Sequence, residues 1–304
     1  MYRVVYALIP ALIWSVFVFG LDALRVTAIA IIACLALEYV IQKYMMKIKP
    51  SIYDGSALVT GILLAFNVPA NIPWWIIVIG AIAAVGIGKL SFGGLGSNIF
   101  NPALVGRVFL LISFPVQMTS WPVNQQSGVD GVTTATPLGV IKEGLMNGTP
   151  VSQLLPELPA TSDMLLGNIS GSLGEISALI LILGGLYMLY KKVITWEIPV
   201  SVIGSVAAIA AIFWLVDPQN YVNPVYHLLT GGLMLGAIYM ATDMVSSPMT
   251  SKGQIIYGVG IGAITISIRL FGAYPEGISF AILIMNAFTP LINNYVKPKR
   301  FGGN

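Results

Sequence analysis

TGGLMLGAIYMATDMVSSP, residues Thr230 to Pro248, begins like a membrane-crossing helix and does not finish as one. A Thr-Gly-Gly start, a Thr-Asp pair and a closing proline interrupt an otherwise apolar run. TGILLAFNVP, Thr60 to Pro69, has the same build: a Thr-Gly start, an apolar run, then polar residues and a proline. Interrupted apolar segments in corresponding places of two halves mark an inverted repeat. Their freed backbone groups survive only where protein or a polar cavity satisfies them. GSNIFNPALVGR (Gly96–Arg107) and MNAFTPLI (Met285–Ile292) form a second such pair, with asparagines in both.

The rest of the chain fits that reading. Of 304 residues, 57% are hydrophobic and 9% are charged, against about 25% charged in a soluble domain. Ten apolar segments are predicted, at 4–20, 24–42, 55–67, 74–90, 98–115, 176–190, 197–216, 226–243, 255–272 and 277–295. The expected fold is an all-α membrane protein, one transmembrane domain over 1–304, with ten transmembrane helices in a five-plus-five inverted repeat (1–115 and 176–304). The first segment has one flanking charge, Arg3, and no A-x-A site, so it reads as retained rather than as a signal peptide.

Charge placement orients the chain. With the N-terminus in the cytoplasm, Arg3, Lys43, Lys47, Lys49, Lys89, Lys191, Lys192, Lys252, Lys297, Lys299 and Arg300 all fall inside or at the inner boundary. Only Arg25 and Lys142 fall outside, and Arg107 and Arg269 lie within segments. This positive-inside bias makes both termini cytoplasmic. It puts the loop 116–175 on the extracytoplasmic side, and a loop that long is usually functional.

One cysteine, Cys34, and one histidine, His227, exclude an internal disulfide, an all-protein iron–sulfur cluster and a His-based metal or haem site. Redox chemistry would need an organic cofactor. No metal site and no nucleic-acid partner are expected. In the outer loop stands DGVTTATPLG, Asp130 to Gly139. A threonine hydroxyl there could cap a helix, act as a nucleophile or be modified. Nucleophilic use needs a nearby base that the loop lacks. Thr136 before Pro137 reads as an N-cap.

Asn98 and Asn101 are three apart and predicted on one face of a helix start, where two amides could hold a heteroaromatic edge or a polyol chain. Arg107 is an intramembrane charge, and so a functional candidate; its structural alternative is pairing with an acid such as Glu38. Glu38, Asp54, Asp243 and Glu276 are the buried or boundary acids, and such acids often mark ion paths. Asp54 could equally cap the third helix with Gly55 and Ser56. His227 is expected to be interfacial, and Trp74, Trp75, Trp121 and Trp214 to form an aromatic belt.

Asp130-Gly131-Val132-Thr133-Thr134-Ala135-Thr136 resembles the D-x-x-T-x-A-T acceptor sequence of flavin transferases. Together with DGSALVTGILLAFNVP (Asp54–Pro69), GGLGSNIFNPALVGR (Gly93–Arg107), ATDMVSSP (Ala241–Pro248) and EGISFAILIMNAFTPLI (Glu276–Ile292), it makes nearly the whole chain resemble the family of Rnf-complex D subunits and sodium-translocating NADH:quinone reductase B subunits. The long N-terminal extension usual in the latter is missing before the first segment, which favours the D type.

The resemblance implies covalent FMN as a phosphoester of Thr136, with Thr133 and Thr134 as fallbacks and Asp130, Thr133 and Ala135 as part of the motif. It places Arg107, Asn98, Asn101 and Asp243 among cofactor-binding residues, the last three beside a non-covalent riboflavin. Asp54 and Glu38 become ion-path candidates, although Asn293 and Asn294 replace an acid that the B subunits carry near the end of the last span. Many members have Ser before Ala135, where this chain has Thr134. The implied role is a flavoprotein subunit of a redox-driven ion pump that couples ferredoxin oxidation and NAD reduction to Na⁺ or H⁺ translocation. It would sit in a prokaryotic inner (plasma) membrane, with its flavin loop outside. Its partners would be a second flavoprotein subunit, iron–sulfur subunits, a flavin transferase and the lipid bilayer. A solute transporter or channel with a urea-transporter-like repeat is the rival class, and a purely structural subunit a third.

Overall fold

The computed structural model describes residues 1–122, 133–167, 169–175 and 177–297. Long helices dominate: α1 (Tyr2–Phe19), α2 (Leu21–Val40), α3 (Ser56–Phe66), α4 (Trp74–Ala81) and α5 (Pro102–Ser113) in the first half. Next come α6 (Pro115–Thr119), α7 (Pro137–Met146), α8 (Val151–Leu154) and α9 (Thr161–Leu166). The second half carries α10 (Ala178–Tyr190), α11 (Glu197–Val216), α12 (Pro224–Leu229), α13 (Leu233–Leu235), α14 (Ser251–Phe271) and α15 (Ile278–Tyr295). The described strands are β1 (Trp121–Pro122) and β2 (Thr133–Thr134), paired antiparallel with Trp121 opposite Thr134. The described residues of the loop expected at 116–175 therefore include folded elements, of which α7 is the longest helix.

Among the described residues, six helical stretches are long and apolar enough to cross a membrane, which makes this a multi-pass membrane protein. The other predicted segments are shorter or broken. Helix α3 has 11 residues, about 16 Å at 1.5 Å per residue, roughly half the hydrocarbon thickness. The segment predicted at 226–243 divides into α12, a bend at Thr230–Gly232, α13 and a π-helical turn at Gly236–Met240. The bend runs through Gly231 and Gly232 at φ +72° and +62°, left-handed backbone that only glycine adopts without strain.

The freed carbonyls at both breaks are met by protein. Gly174 N–H donates to Phe66 O at 2.8 Å and Leu173 N–H to Val68 O at 3.4 Å. Arg269 donates to the carbonyls of His227 (2.5 Å), Thr230 (3.1 Å) and Gly231 (3.1 Å). Helix α3 lies against α2 so closely that a Cβ on Gly61 would come within 2.8 Å of Ile31 Cα.

The start of α1 and the end of α15 share one end of the molecule. There Arg3 donates to Lys191 O, Thr195 Oγ1 to Gln254 Oε1, and Thr250 Oγ1 to Val296 O. Helix α7 covers the opposite end.

Candidate functional site

At the terminal end a cavity of about 180 Å³ opens between the halves, lined by Thr60, Lys89, Asn98, Asn101, Thr242 and Asp243, among others. The fold thus brings three of the predicted residues to one place, although not as the spacing suggested. Asn101 is the N-cap of α5: its Oδ1 accepts from Ala103 N–H at 3.0 Å and Leu104 N–H at 3.4 Å. Asn98 stands in the non-helical approach, because Pro102 sets the first helical residue and leaves everything before Asn101 outside. The two asparagines therefore do not share a helical face. Asn101 Nδ2 donates to Met240 O at 3.1 Å, so its amide is committed to the two broken segments. Asn98 and Asp243 line the cavity with partners of their own: Asn98 Nδ2 donates to Phe100 O at 3.0 Å, and Asp243 Oδ2 accepts from Ser246 Oγ at 3.0 Å.

Lys89 is buried within the protein. It is 1% exposed and forms a buried pair with Glu38, Nζ to Oε1 at 2.7 Å, while also donating to Ser56 Oγ at 2.5 Å. Gln42 Nε2 donates to the same Glu38 oxygen at 3.1 Å. Glu38 Oε2 is buried without a hydrogen-bond partner among the described residues. Asp54 takes the structural role: its Oδ1 accepts from Ser56 N–H (2.7 Å) and Ser56 Oγ (2.6 Å), closing the start of α3.

Arg107 pairs with Glu276 rather than with Glu38, and donates from Nη1 to Asn67 Oδ1 at 2.7 Å. This joins α5 and the end of α3 to the turn before α15. Beside it, Glu175 accepts from Ser172 Oγ at 2.8 Å. Burial, and next the Glu276 carboxylate, push Glu175 well above the ordinary carboxylate range, against the lowering pull of Arg107.

A second cavity, of about 340 Å³, lies under α7. Leu138, Ile141 and Lys142 of α7 form one wall, with Tyr221, His227 and Arg269 opposite. His227 is buried at 4% exposure, not interfacial. Its Nδ1, and Nε of the equally buried Arg269, have no hydrogen-bond partner among the described residues. Lys142 Nζ donates to Tyr274 O at 2.8 Å, and burial lowers its pKa from the usual lysine value. Trp121 is also buried, while Trp74 and Trp75 are exposed as a belt requires.

Thr136 caps α7 at the edge of this cavity wall: its Oγ1 accepts from Gly139 N–H at 3.1 Å, and Pro137 takes the first helical position. Thr136 is 5% exposed, whereas Ala135 before it is exposed. Thr133 stands in β2. Asp130 lies outside the described residues.

The chain matches the family model described as "NQR2, RnfD, RnfE family" along residues 1–302. It belongs to that family. Among its relatives is a Clostridium ljungdahlii protein named as the D subunit of a proton-translocating ferredoxin:NAD(+) oxidoreductase complex, 48% identical over 99% of this chain and 91% of the relative. An Acetobacterium woodii protein named as the D subunit of the Na(+)-translocating complex is also 48% identical, over 99% of this chain and 90% of its own. A Stutzerimonas stutzeri protein, named as the D subunit of an ion-translocating oxidoreductase complex, is 39% identical over 100% of this chain and 92% of its own. Two relatives of equal identity are named for different ions, so overall similarity in this family does not set the ion.

Proposed function

We propose that this chain is the D subunit of an ion-translocating ferredoxin:NAD(+) oxidoreductase complex, a ten-span membrane flavoprotein with FMN esterified to Thr136. The observation that supports it most is similarity to D subunits along 99% of the chain. FMN supplies electron transfer in one- and two-electron steps. The residues around Thr136 fit such a group. The cap uses a lone pair on Thr136 Oγ1, and esterification uses the O–H, so the two are compatible. A phosphate there would lie at the N-terminus of α7, where negative charge is favoured. The cavity under α7 offers apolar walls for a ring and unpartnered nitrogens on Arg269 and His227.

In this reading Lys142 and Arg269 hold positive charge near an anionic cofactor, and His227 lines the wall beside them. At the other end, Asn98 and Asp243 line a cavity suited to a non-covalent riboflavin, and Asn101 fixes the backbone beside it. Glu38 and Asp54 are the ion-path candidates, the first held by Lys89 and Gln42 and the second capping α3 through Oδ1. Partner subunits hold the NAD and ferredoxin chemistry, for which this sequence has neither a nucleotide fold nor cluster ligands. The terminal end faces the cytoplasm and α7 faces outward.

The test is expression with an active flavin transferase, followed by in-gel flavin fluorescence after denaturation. Fluorescence lost in Thr136→Ala supports the reading. Fluorescence persisting in that variant moves the attachment to Thr133 or Thr134. A dark native chain refutes covalent flavin and favours a transporter.

A further inference from the structure

Four charged side chains meet where the halves join, and the ion pairs leave them incompletely matched. Arg107 comes from α5, Arg269 from the end of α14, Glu276 from the turn between α14 and α15, and Glu175 from the lead-in to α10. The uncharged groups facing them are Asn67, Ser172 and the carbonyls of the Thr230–Gly232 bend. His227 and Lys142 are the remaining titratable groups nearby: Arg269 donates to His227 O, and Lys142 Nζ lies 3.5 Å from Arg269 O. Arg107 pairs with one Glu276 oxygen. The other, Oε1, is buried with no donor in reach among the described residues. Glu175 lies within hydrogen-bonding reach of Glu276. The bend is part of this packing: a Cβ on Gly232 would lie 3.5 Å from Glu175 Oε1 and 3.7 Å from Arg107 Nη1.

Two carboxylates share no donor, so such an approach is stable only when a proton lies between them. That proton would also satisfy the orphan oxygen, whose desolvation is otherwise uncompensated. We propose that Glu175 and Glu276 form a proton-binding site between the two halves, holding one exchangeable proton that belongs to the pair. Proton uptake here is a simple association, H⁺ joining two carboxylates, with no other bond made or broken.

Charge balance gives the site a consequence. With the proton bound, two guanidinium groups face one carboxylate and the cluster carries one net positive charge. Without it, the cluster is neutral. Arg269 belongs both to this cluster and to the wall of the 340 Å³ cavity under α7. Negative charge arriving in that cavity therefore favours the proton, and the proton favours negative charge there, by reciprocal linkage. The proton site itself does not depend on a flavin being the occupant.

The experiment is infrared difference spectroscopy of the purified membrane complex containing this chain, titrated with pH and without a redox trigger. The expected result is a protonated-carboxyl carbonyl band that titrates above the ordinary carboxylate range. It should be lost in Glu175→Gln and shifted in frequency in Glu276→Gln, where its hydrogen-bond partner changes. If Glu175→Gln fails to assemble, Glu175→Asp serves, and should move the band and its titration point. A band left unchanged in these variants overturns the proposal. So does a native complex with no such band. Because no flavin signal is read, failure here leaves the covalent-flavin test untouched, and failure there leaves this one intact.

Discussion

Lys89 and Arg269 occupy corresponding places in the two halves. Each lies at the end of the fourth long segment of its half and reaches back to the interrupted third. Their solutions differ. Lys89, a compact point charge, is neutralised by the Glu38 carboxylate and steadied by the Ser56 hydroxyl. Arg269 spreads its charge over three backbone carbonyls of a helix that has lost its own partners. Lysine suits a single carboxylate, and the guanidinium fork suits several fixed oxygens at once. The pairing that the first half makes with a side chain, the second makes with its backbone. Arg269 meets the bend at Thr230–Gly232, Lys89 the start of α3, and each cation is satisfied differently.

The contrast can be broken most strongly at Lys89. Lys89→Met strands the Glu38 carboxylate at zero exposure and should cost about 3–5 kcal/mol, the range for an unpaired buried charge. Adding Glu38→Leu should recover most of that loss. Thermal unfolding of both variants in detergent decides it, and a double variant as unstable as the single would show that the pair is not an isolated unit.

Arg269→Lys keeps the charge and loses the fork. It should cost about 1.5–3 kcal/mol, typical of a hydrogen bond to a charged group. Hydrogen exchange of the Pro224–Gly232 amides should accelerate. Equal protection in the variant would mean that the bend is held by something other than Arg269.

Thr136→Ala removes the α7 cap and should cost about 1 kcal/mol, a small loss beside its proposed effect on flavin. Circular dichroism and thermal midpoints separate the two, since a collapsed cap domain would make the fluorescence result uninformative about attachment.

The smallest effect is on pH dependence. Glu175 has a raised folded-state pKa, so its favourable share of stability is present below the ordinary carboxylate pKa. That share is lost as pH rises through the folded value. Glu175→Gln cannot titrate, and its thermal midpoint should fall less than that of the native chain as pH rises from the ordinary carboxylate range upward. Parallel curves would place Glu175 in the ordinary range.

The interruptions at Thr60–Pro69 and Thr230–Pro248 are legible in sequence because glycine and proline punctuate hydrophobic runs in a way that apolar packing does not need. The Thr136 cap is legible for the same reason, Thr-Pro being a local signal. Counting Lys89 among the boundary charges does not reveal its pairing with Glu38, because charge placement along the chain cannot report a contact 51 residues away. Arg107 is recognisable as buried, but its partner Glu276 lies 169 residues away, and no local pattern reports such a contact. Glu175 reads in sequence as one more polar loop residue. The sole available hint is its place beside Gly171 and Gly174, which let backbone approach closely. His227 looks interfacial only because the cap that buries it belongs to a loop whose own fold is not readable from composition.

The seam between the halves limits how this protein can move. Asn101 donates across it to Met240 O, Tyr239 Oη to Ala7 O, and Arg107 grips Glu276, while Gly174 and Asn67 tie up the ends of the interrupted helix. Many transporters with inverted repeats work by rocking one repeat against the other. Here that motion would tear several buried carbonyls from their donors at once, each costly in a medium with no water to replace them. The seam therefore holds the two halves together as one stationary frame.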